Sequence, residues 1–293
     1  MPSWDAEQYL KFADERTRPC RELAARVAID APRRVIDLGC GSGNSTRVLA
    51  ERWPAAEVTG LDSSAQMIAA ARRENPAGRW IEADIAGWHW QAQSASGEMP
   101  TDVNSLAGTG RLRLPVPPKR TDLPGRPDII FSNAALQWVP DHAALLPRLL
   151  RQANPGGALA VQMPDNFDAP AHRAMRELAA SAGWRELLFQ GGGVREWHVD
   201  DLPFYYDTLA PHAARLDLWK TEYFQVMPDA EGIVAWYRGT GLRPFLDALP
   251  TDADRDRFAA EYLERIRAAY PRRTDGRVLF PFRRLFLIAY RGE

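Results

Sequence analysis

Short apolar runs alternate with amphipathic stretches along this chain. Residues 33–38 and 57–61 are brief apolar runs that end at turn residues, the pattern of buried strands. Between them, residues 44–53 place Val48, Leu49 and Trp53 at helical spacing. Residues 63–73 predict the next helix, with Ser63 or Ser64 as its N-cap. Residues 79–82 and 127–132 predict two more strands, 141–152 a helix ended by NPGG, and 158–163 the strand that follows. Strands separated by single helices imply an α/β fold, Rossmann-like and doubly wound around a mostly parallel sheet.

Two stretches depart from the alternation. Residues 91–125 are rich in Ser, Gly, Thr and Pro and predict a flexible insertion ahead of the PDIIFS strand. Residues 229–270 carry helical patterns between two β-like runs, 215–225 and 283–290. They predict a helical cap over a substrate site, inserted between the last two strands of a single domain spanning 1–293.

Composition narrows the class. The chain has 293 residues, 45% apolar and 26% charged, enough for one large core with a cap. It has no apolar run of about 18 residues, so no membrane partner is expected. The charged, amphipathic start lacks the apolar centre of a secretion signal. Two cysteines, Cys20 and Cys40, make no disulfide framework, and the expected location is cytoplasmic. A net charge of −1 presents no basic field to nucleic acid. Lysine occurs only at Lys11, Lys119 and Lys220, so an anion site here would be built from arginine forks. The oligomeric state is not read.

The stretch VIDLGCGSGNST carries the chemistry. Gly39, Gly41 and Gly43 let a chain leaving a strand turn sharply past a ligand. Asp62 follows at the tip of the next strand, where an acid accepts both hydroxyls of a ribose. Dinucleotide sites want a glycine where Thr46 stands. Asp37, two residues before the first glycine, suits a nearby ammonium or sulfonium and would repel pyrophosphate. Asp84, in EADI, can accept an adenine amine. Three acids around a glycine loop suit a cationic adenosyl ligand.

VIDLGCGSGNST, TGLDSS and IEADI, in that order, resemble the S-adenosylmethionine-dependent methyltransferases with a Rossmann-like fold. The resemblance implies S-adenosyl-L-methionine as cofactor. It assigns contacts to Asp37, Gly39, Gly41, Gly43, Asn44, Asp62, Ser63, Met67, Ala83, Asp84, Ile85, Asn133 and Ala134. The blocks WDAEQYLKFADERTRP, DIIFSNAALQWVPDH, LAVQMPDN, FYYDTL, TGLRPFL, AYP and RLFLIA are similar to the trans-aconitate methyltransferase family over nearly the whole chain. The departures are the 91–125 insertion, Ser42 where that family often has proline, and extra residues at 190–198.

That likeness implies transfer of the cofactor methyl to a carboxylate of a small acid. A carboxylate is already ionised at neutral pH, so no general base is needed and no side chain is expected to act as acid, base or nucleophile. Positioning and exclusion of water are expected to carry the reaction. The histidines, His89, His142, His172, His198 and His212, are scattered and give no metal-ligand pattern; His142 is given helix-start duty. Spectator carboxylates would want arginine forks. The candidates are Arg243, foremost, beside Trp236 and Tyr237; Arg283 or Arg284; and Arg16 or Arg18. Tyr9 and Phe12 could close over the cofactor, Tyr205 and Tyr206 could donate to substrate, and Gln137 and Trp138 are placed near the moving methyl. Trp138 can face the sulfonium through its ring. The rival readings are methylation of another small acid or an acyl-thioester carboxylate, an NAD-linked oxidoreductase, and a non-catalytic S-adenosylmethionine-binding protein.

Overall fold

A computed structural model of the chain describes residues 13–89, 125–191, 194 and 197–293, with backbone alone at 13–16. It opens with α1 (Ala13–Arg26), then β1 (Arg34–Leu38), α2 (Asn44–Arg52), β2 (Glu57–Asp62), α3 (Ala65–Glu74) and β3 (Arg79–Glu82). The second half of the sheet begins with β4 (Ile129–Asn133), a single 3-10 turn (Leu136–Trp138), α4 (His142–Leu150) and β5 (Ala158–Pro164). Then follow α5 (Pro170–Ala180), α6 (Ala182–Gln190), α7 (Leu202–Leu209) and β6 (Arg215–Met227). The chain ends with α8 (Ala230–Arg238), α9 (Arg243–Asp247), α10 (Asp252–Ala269) and β7 (Val278–Tyr290).

The seven strands form one sheet in the order β3-β2-β1-β4-β5-β7-β6. β7 runs antiparallel to both neighbours, and the other pairings are parallel. Every residue of β5 is buried, as a strand covered on both faces must be. On one face Leu23 of α1, Val27 just after it and Leu49 of α2 pack on Phe131 and Phe286. On the other, Leu145 and Leu149 of α4 and Leu209 of α7 pack on Leu38, Ile130 and Leu287. Strand order reverses between β1 and β4, so the carboxyl ends of those strands open a crevice there.

The predicted helices and strands of the first half appear within a few residues of their expected bounds. Ser64 is the N-cap of α3, its hydroxyl accepting from the Met67 amide at 3.3 Å. Helices lie between β6 and β7, and the apolar cluster they build extends beyond residues 229–270. It joins Ile233 and Trp236 of α8 and Phe258 and Tyr262 of α10 to Met175 and Leu178 of α5 and Trp184 of α6. α5 to α7 are short helices that the pattern reading passed over. β7 begins five residues before the predicted run because Pro281 interrupts the sequence signal. Pro281 is tolerated there: β5 pairs β7 only from Arg284 onward, so at Pro281 the strand has a neighbour on one side alone. Of the predicted 91–125 insertion, all but Gly125 lies outside the described residues. No helix among the described residues is long and apolar enough to cross a membrane.

Candidate active site

The chain leaves β1 through Gly39, Gly41 and Gly43, which have φ of 73°, 55° and 95°. These left-handed values are costly for residues with a Cβ. The three glycines have different surroundings. A Cβ on Gly39 would lie 2.1 Å from the Ala135 Cβ, and one on Gly43 2.7 Å from the Trp80 ring. At Gly41 a Cβ would meet nothing within 4 Å, so the backbone there faces open space. That space is a cavity of about 690 Å³, walled by Gly41, Asp62, Asp84 and Asn133 at the strand ends and by Trp236 and Arg243 of the α8–α9 region.

Asp62 stands at the tip of β2. Its carboxylate accepts from the Gly41 amide at 2.9 Å and the Ser64 amide at 2.8 Å, one oxygen each, which leaves a lone pair on both oxygens for a ligand. Asp84 follows β3, held by the Ala86 amide on one carboxylate oxygen at 2.9 Å. Past β4 the chain kinks at Ala134, a non-glycine residue with φ of 55°. Its amide still donates to the Gln162 carbonyl. Strained backbone of this kind persists where its surroundings over-determine it. The turn that follows carries Gln137 and Trp138. Gln137 Nε2 donates to the Ala134 carbonyl at 2.8 Å, which orients the amide and leaves Oε1 with no partner among the described residues. The Asn133 Oδ1 is likewise buried without a partner.

His142 supports this turn from α4. Its Nε2 lies 3.0 Å from the Leu136 carbonyl and its Nδ1 2.8 Å from the Tyr205 hydroxyl. The carbonyl can only accept, so Nε2 carries the proton and Nδ1 accepts from Tyr205. Burial holds the His142 pKa below its ordinary value and pushes the Tyr205 hydroxyl up.

On the far side, alternation along β7 separates two neighbouring arginines. Arg284 shares a sheet face with Phe282 and Phe286, is 6% exposed and lies in the cavity wall. Its Nη1 donates to the Gln162 Oε1 at 3.1 Å, and its guanidinium lies 4.8 Å from the centre of the Phe282 ring. Trp197 completes this wall, edge-on to Trp138 at 5.4 Å and to His172 at 4.6 Å.

Gly39, Gly41, Asn44, Asp62, Ser63, Met67, Asp84, Ile85, Asn133 and Ala134 are brought together in the cavity wall, with Gln137, Trp138, Trp236, Arg243 and Arg284. Other expectations are corrected. Asp37 does not face the ligand space: it is fully buried, with one oxygen accepting from the Ser45 and Thr46 hydroxyls at 2.6 and 2.7 Å. Burial pushes its pKa up to about 6. Gly43 is turned to Trp80, and Ala83 is spent on the sheet, its amide donating to the Asp62 carbonyl. Arg283 points to the opposite face from Arg284 and is held by Asp165 and Asp168. Arg18 pairs with Glu22 at 2.9 Å over the Tyr223 ring. Tyr205 is packed in the core with His142, and Tyr206, 54% exposed, lies outside the cavity wall. Arg243, the foremost candidate, is in the wall but partly exposed and paired with Asp247 at 3.3 Å; Arg284 is the deeper cation. Tyr9 and Phe12 and the Arg16 side chain lie outside the described residues. Thr17, Cys20, Trp197 and Thr240 also line the cavity and were not foreseen. Only the extra 190–198 segment, flagged as a departure, hinted at Trp197.

A family profile described as "Methyltransferase domain" matches residues 12–203. The YcgJ protein from Bacillus subtilis has the same fold at a TM-score of 0.52 and 14% identity, over 94% of this chain and 99% of that one. With the glycine loop and the acids at two strand ends, Asp62 and Asp84, this defines an S-adenosylmethionine-dependent methyltransferase of the Rossmann-like class. The residues fit that cofactor: Gly41 leaves room for close approach, and Asp62, Asp84 and Asn133 present acceptors where a cationic adenosyl amino acid needs them. Within the class, the trans-aconitate 2-methyltransferase of Azoarcus sp. (strain BH72) is 49% identical over 99% of this chain and 100% of that protein. Those of Rhodopseudomonas palustris (strain BisB18) and Acidovorax sp. (strain JS42) are 46% and 45% identical over at least 99% of both chains. The chain belongs to the trans-aconitate 2-methyltransferase family.

Proposed function

We propose that this protein esterifies a carboxylate of trans-aconitate with the methyl group of S-adenosylmethionine, giving the monomethyl ester and S-adenosylhomocysteine. The observation that carries the acceptor half is Arg284, a buried arginine set in the cavity wall beside Phe282 and Gln162. A planar guanidinium there is suited to bidentate capture of a carboxylate that is not itself methylated. The names of the relatives point to the same acid.

When bound, S-adenosylmethionine supplies an electrophilic methyl on a sulfonium. Asp62 accepts the ribose hydroxyls and Asp84 the adenine amine. The unpartnered Asn133 Oδ1 accepts from the ammonium. Gln137 and Trp138, both in the cavity wall, would flank the site of transfer, and the Trp138 ring would supply a cation–π partner for the sulfonium. Arg284 holds one spectator carboxylate of the acid from the sheet. Arg243 approaches another from the cap formed by α8 to α10, and Trp236 and Trp197 help exclude water. The reacting carboxylate needs no base, since it is ionised at neutral pH. His142 and His172 fit that account, both being buried structural groups, with His172 pushed down to about 3 by burial. A cytoplasmic setting suits a chain whose two cysteines, Cys20 and Cys40, are buried and form no disulfide with each other.

The test is a label-transfer assay with methyl-labelled S-adenosylmethionine and a panel of trans-aconitate, cis-aconitate, citrate, isocitrate, a monocarboxylate and malonyl thioester. Transfer to trans-aconitate as a base-labile ester, at a rate well above the others, is expected. Preference for a different acid, or no transfer by protein that still binds the cofactor, would overturn the acceptor assignment.

A further inference from the structure

Between the adenine end of the cavity and the sheet lies a loop, residues 83–89, that carries Asp84 and Ile85 and belongs to neither a helix nor a strand. Its internal support is slight. The Ala86 amide bonds Asp84, and the Trp88 amide donates to the Ile85 carbonyl at 3.2 Å. From outside, the loop is held chiefly by Arg148, with Gln152 Nε2 adding a longer bond to the Trp88 carbonyl at 3.5 Å. Arg148, in the last turn of α4, donates through Nη1 to the Trp88 carbonyl, and through Nη2 to the Ile85 carbonyl at 3.1 Å and the Ala86 carbonyl at 2.9 Å. Burial lowers the Arg148 pKa from its ordinary value, but a guanidinium remains charged.

A flat fork with five N–H donors can bridge three carbonyls of one loop, and charge-assisted bonds of this kind are about twice as strong as neutral ones. α4 itself contributes no residue to the cavity wall, so Arg148 reaches the site only through the loop. Trp88 and Ile85 are also seated against Leu145 and Leu149 of the same helix. The loop is therefore fastened to α4 by side-chain packing from one side and by the Arg148 fork along its backbone.

We propose that Arg148 is a positioning residue for the cofactor: by fixing the carbonyls of Ile85, Ala86 and Trp88 it sets the distance between the Asp84 carboxylate and the adenine amine. This rests on the reading of Asp84 as the adenine acceptor. A lysine at the same place keeps the charge but concentrates its donors on one nitrogen, and cannot span the three carbonyls. A methionine keeps the aliphatic volume and removes every donor.

The test compares Arg148→Met, Arg148→Lys and Asp84→Ala with the unaltered protein by calorimetric titration of S-adenosylhomocysteine and of S-inosylhomocysteine, which lacks the adenine amine. Circular dichroism checks folding. For Arg148→Met the Kd for S-adenosylhomocysteine should rise at least tenfold. The preference over the inosyl compound should shrink toward one, and KM for the acid should stay within about twofold. Arg148→Lys should fall between, and it decides the matter if the methionine variant does not fold. Unchanged affinity, or weaker affinity with the adenine preference intact while Asp84→Ala loses it, would overturn the positioning role and spare the Asp84 contact. An intact preference in Asp84→Ala, which has no acceptor, would overturn the contact itself, and this proposal with it.

Discussion

Beneath the glycine loop, Asp37 carries a carboxyl that burial raises from 3.8 to about 6. Its ionised form is disfavoured in the fold, so the folded chain binds more protons than the unfolded one between those values. Stability is then fully present below about pH 4 and falls as pH rises through about 6. Asparagine keeps an acceptor for Ser45 and Thr46 and removes the buried charge. Asp37→Asn should gain up to roughly 3 kcal/mol against urea at pH 7, at about 1.4 kcal/mol per pKa unit, and little at pH 4. It should also weaken the cationic cofactor more than S-adenosylhomocysteine, because the negative charge beneath the loop is gone. Unchanged stability across that pH range would sink the account. The two adjacent arginines give a second contrast. Arg284→Ala should raise KM for trans-aconitate more than tenfold with KM for S-adenosylmethionine within about twofold, the signature of a lost substrate contact. Arg243→Ala should act in the same direction, more weakly. Arg283→Ala removes partly exposed ion pairs and should cost about 1 kcal/mol of stability with little change in either KM.

α4 ties together parts of the site that it does not itself touch. Its first residue, His142, bonds the Leu136 carbonyl of the turn bearing Gln137 and Trp138, and its last turn holds the adenine loop. His142→Phe keeps the ring volume, leaves the Tyr205 O–H without its acceptor, and removes one of two donors to the Leu136 carbonyl, which keeps the Val139 amide. Leaving a buried group unsatisfied costs about 1–3 kcal/mol. The loss should appear in chemical denaturation. Because the turn stands beside the site of transfer, kcat should fall more than KM for the cofactor changes. Equal loss in every kinetic constant would mean that the histidine is only a core support. β6 and β7 show the same division of labour. Their long antiparallel pairing carries α8 to α10 away from the sheet, while the alternation of β7 decides which arginine meets the cavity.

At the scale of the molecule, the cavity is bounded by the strand ends on one side and by the α8–α9 region on the other, so a ligand there touches both. S-adenosylhomocysteine at about 100 times its Kd should stabilise the protein by about 2.7 kcal/mol. At roughly 2–4 °C per kcal/mol for chains approaching this length, that predicts a Tm rise of about 5–10 °C in a thermal shift assay. No rise, with binding shown by calorimetry, would mean that the unfolding seen involves a part not coupled to the cavity.

Local pattern carried the sheet. Alternating apolar runs and helical spacing follow from the periods of strand and helix, so β1 to β5 and α2 to α4 could be read off the chain. The glycine loop, Asp62 and Asp84 were legible because a tight turn and an acid at a strand tip are written in adjacent residues. Which of two neighbouring arginines lines the cavity, that Tyr205 is packed with His142 rather than set in the cavity wall, that Asp37 lies beneath the loop rather than in that wall, and that Trp197 reaches the cavity were decided by tertiary structure. Each depends on strand register, burial or packing between segments far apart in the chain, and residue order alone holds none of these.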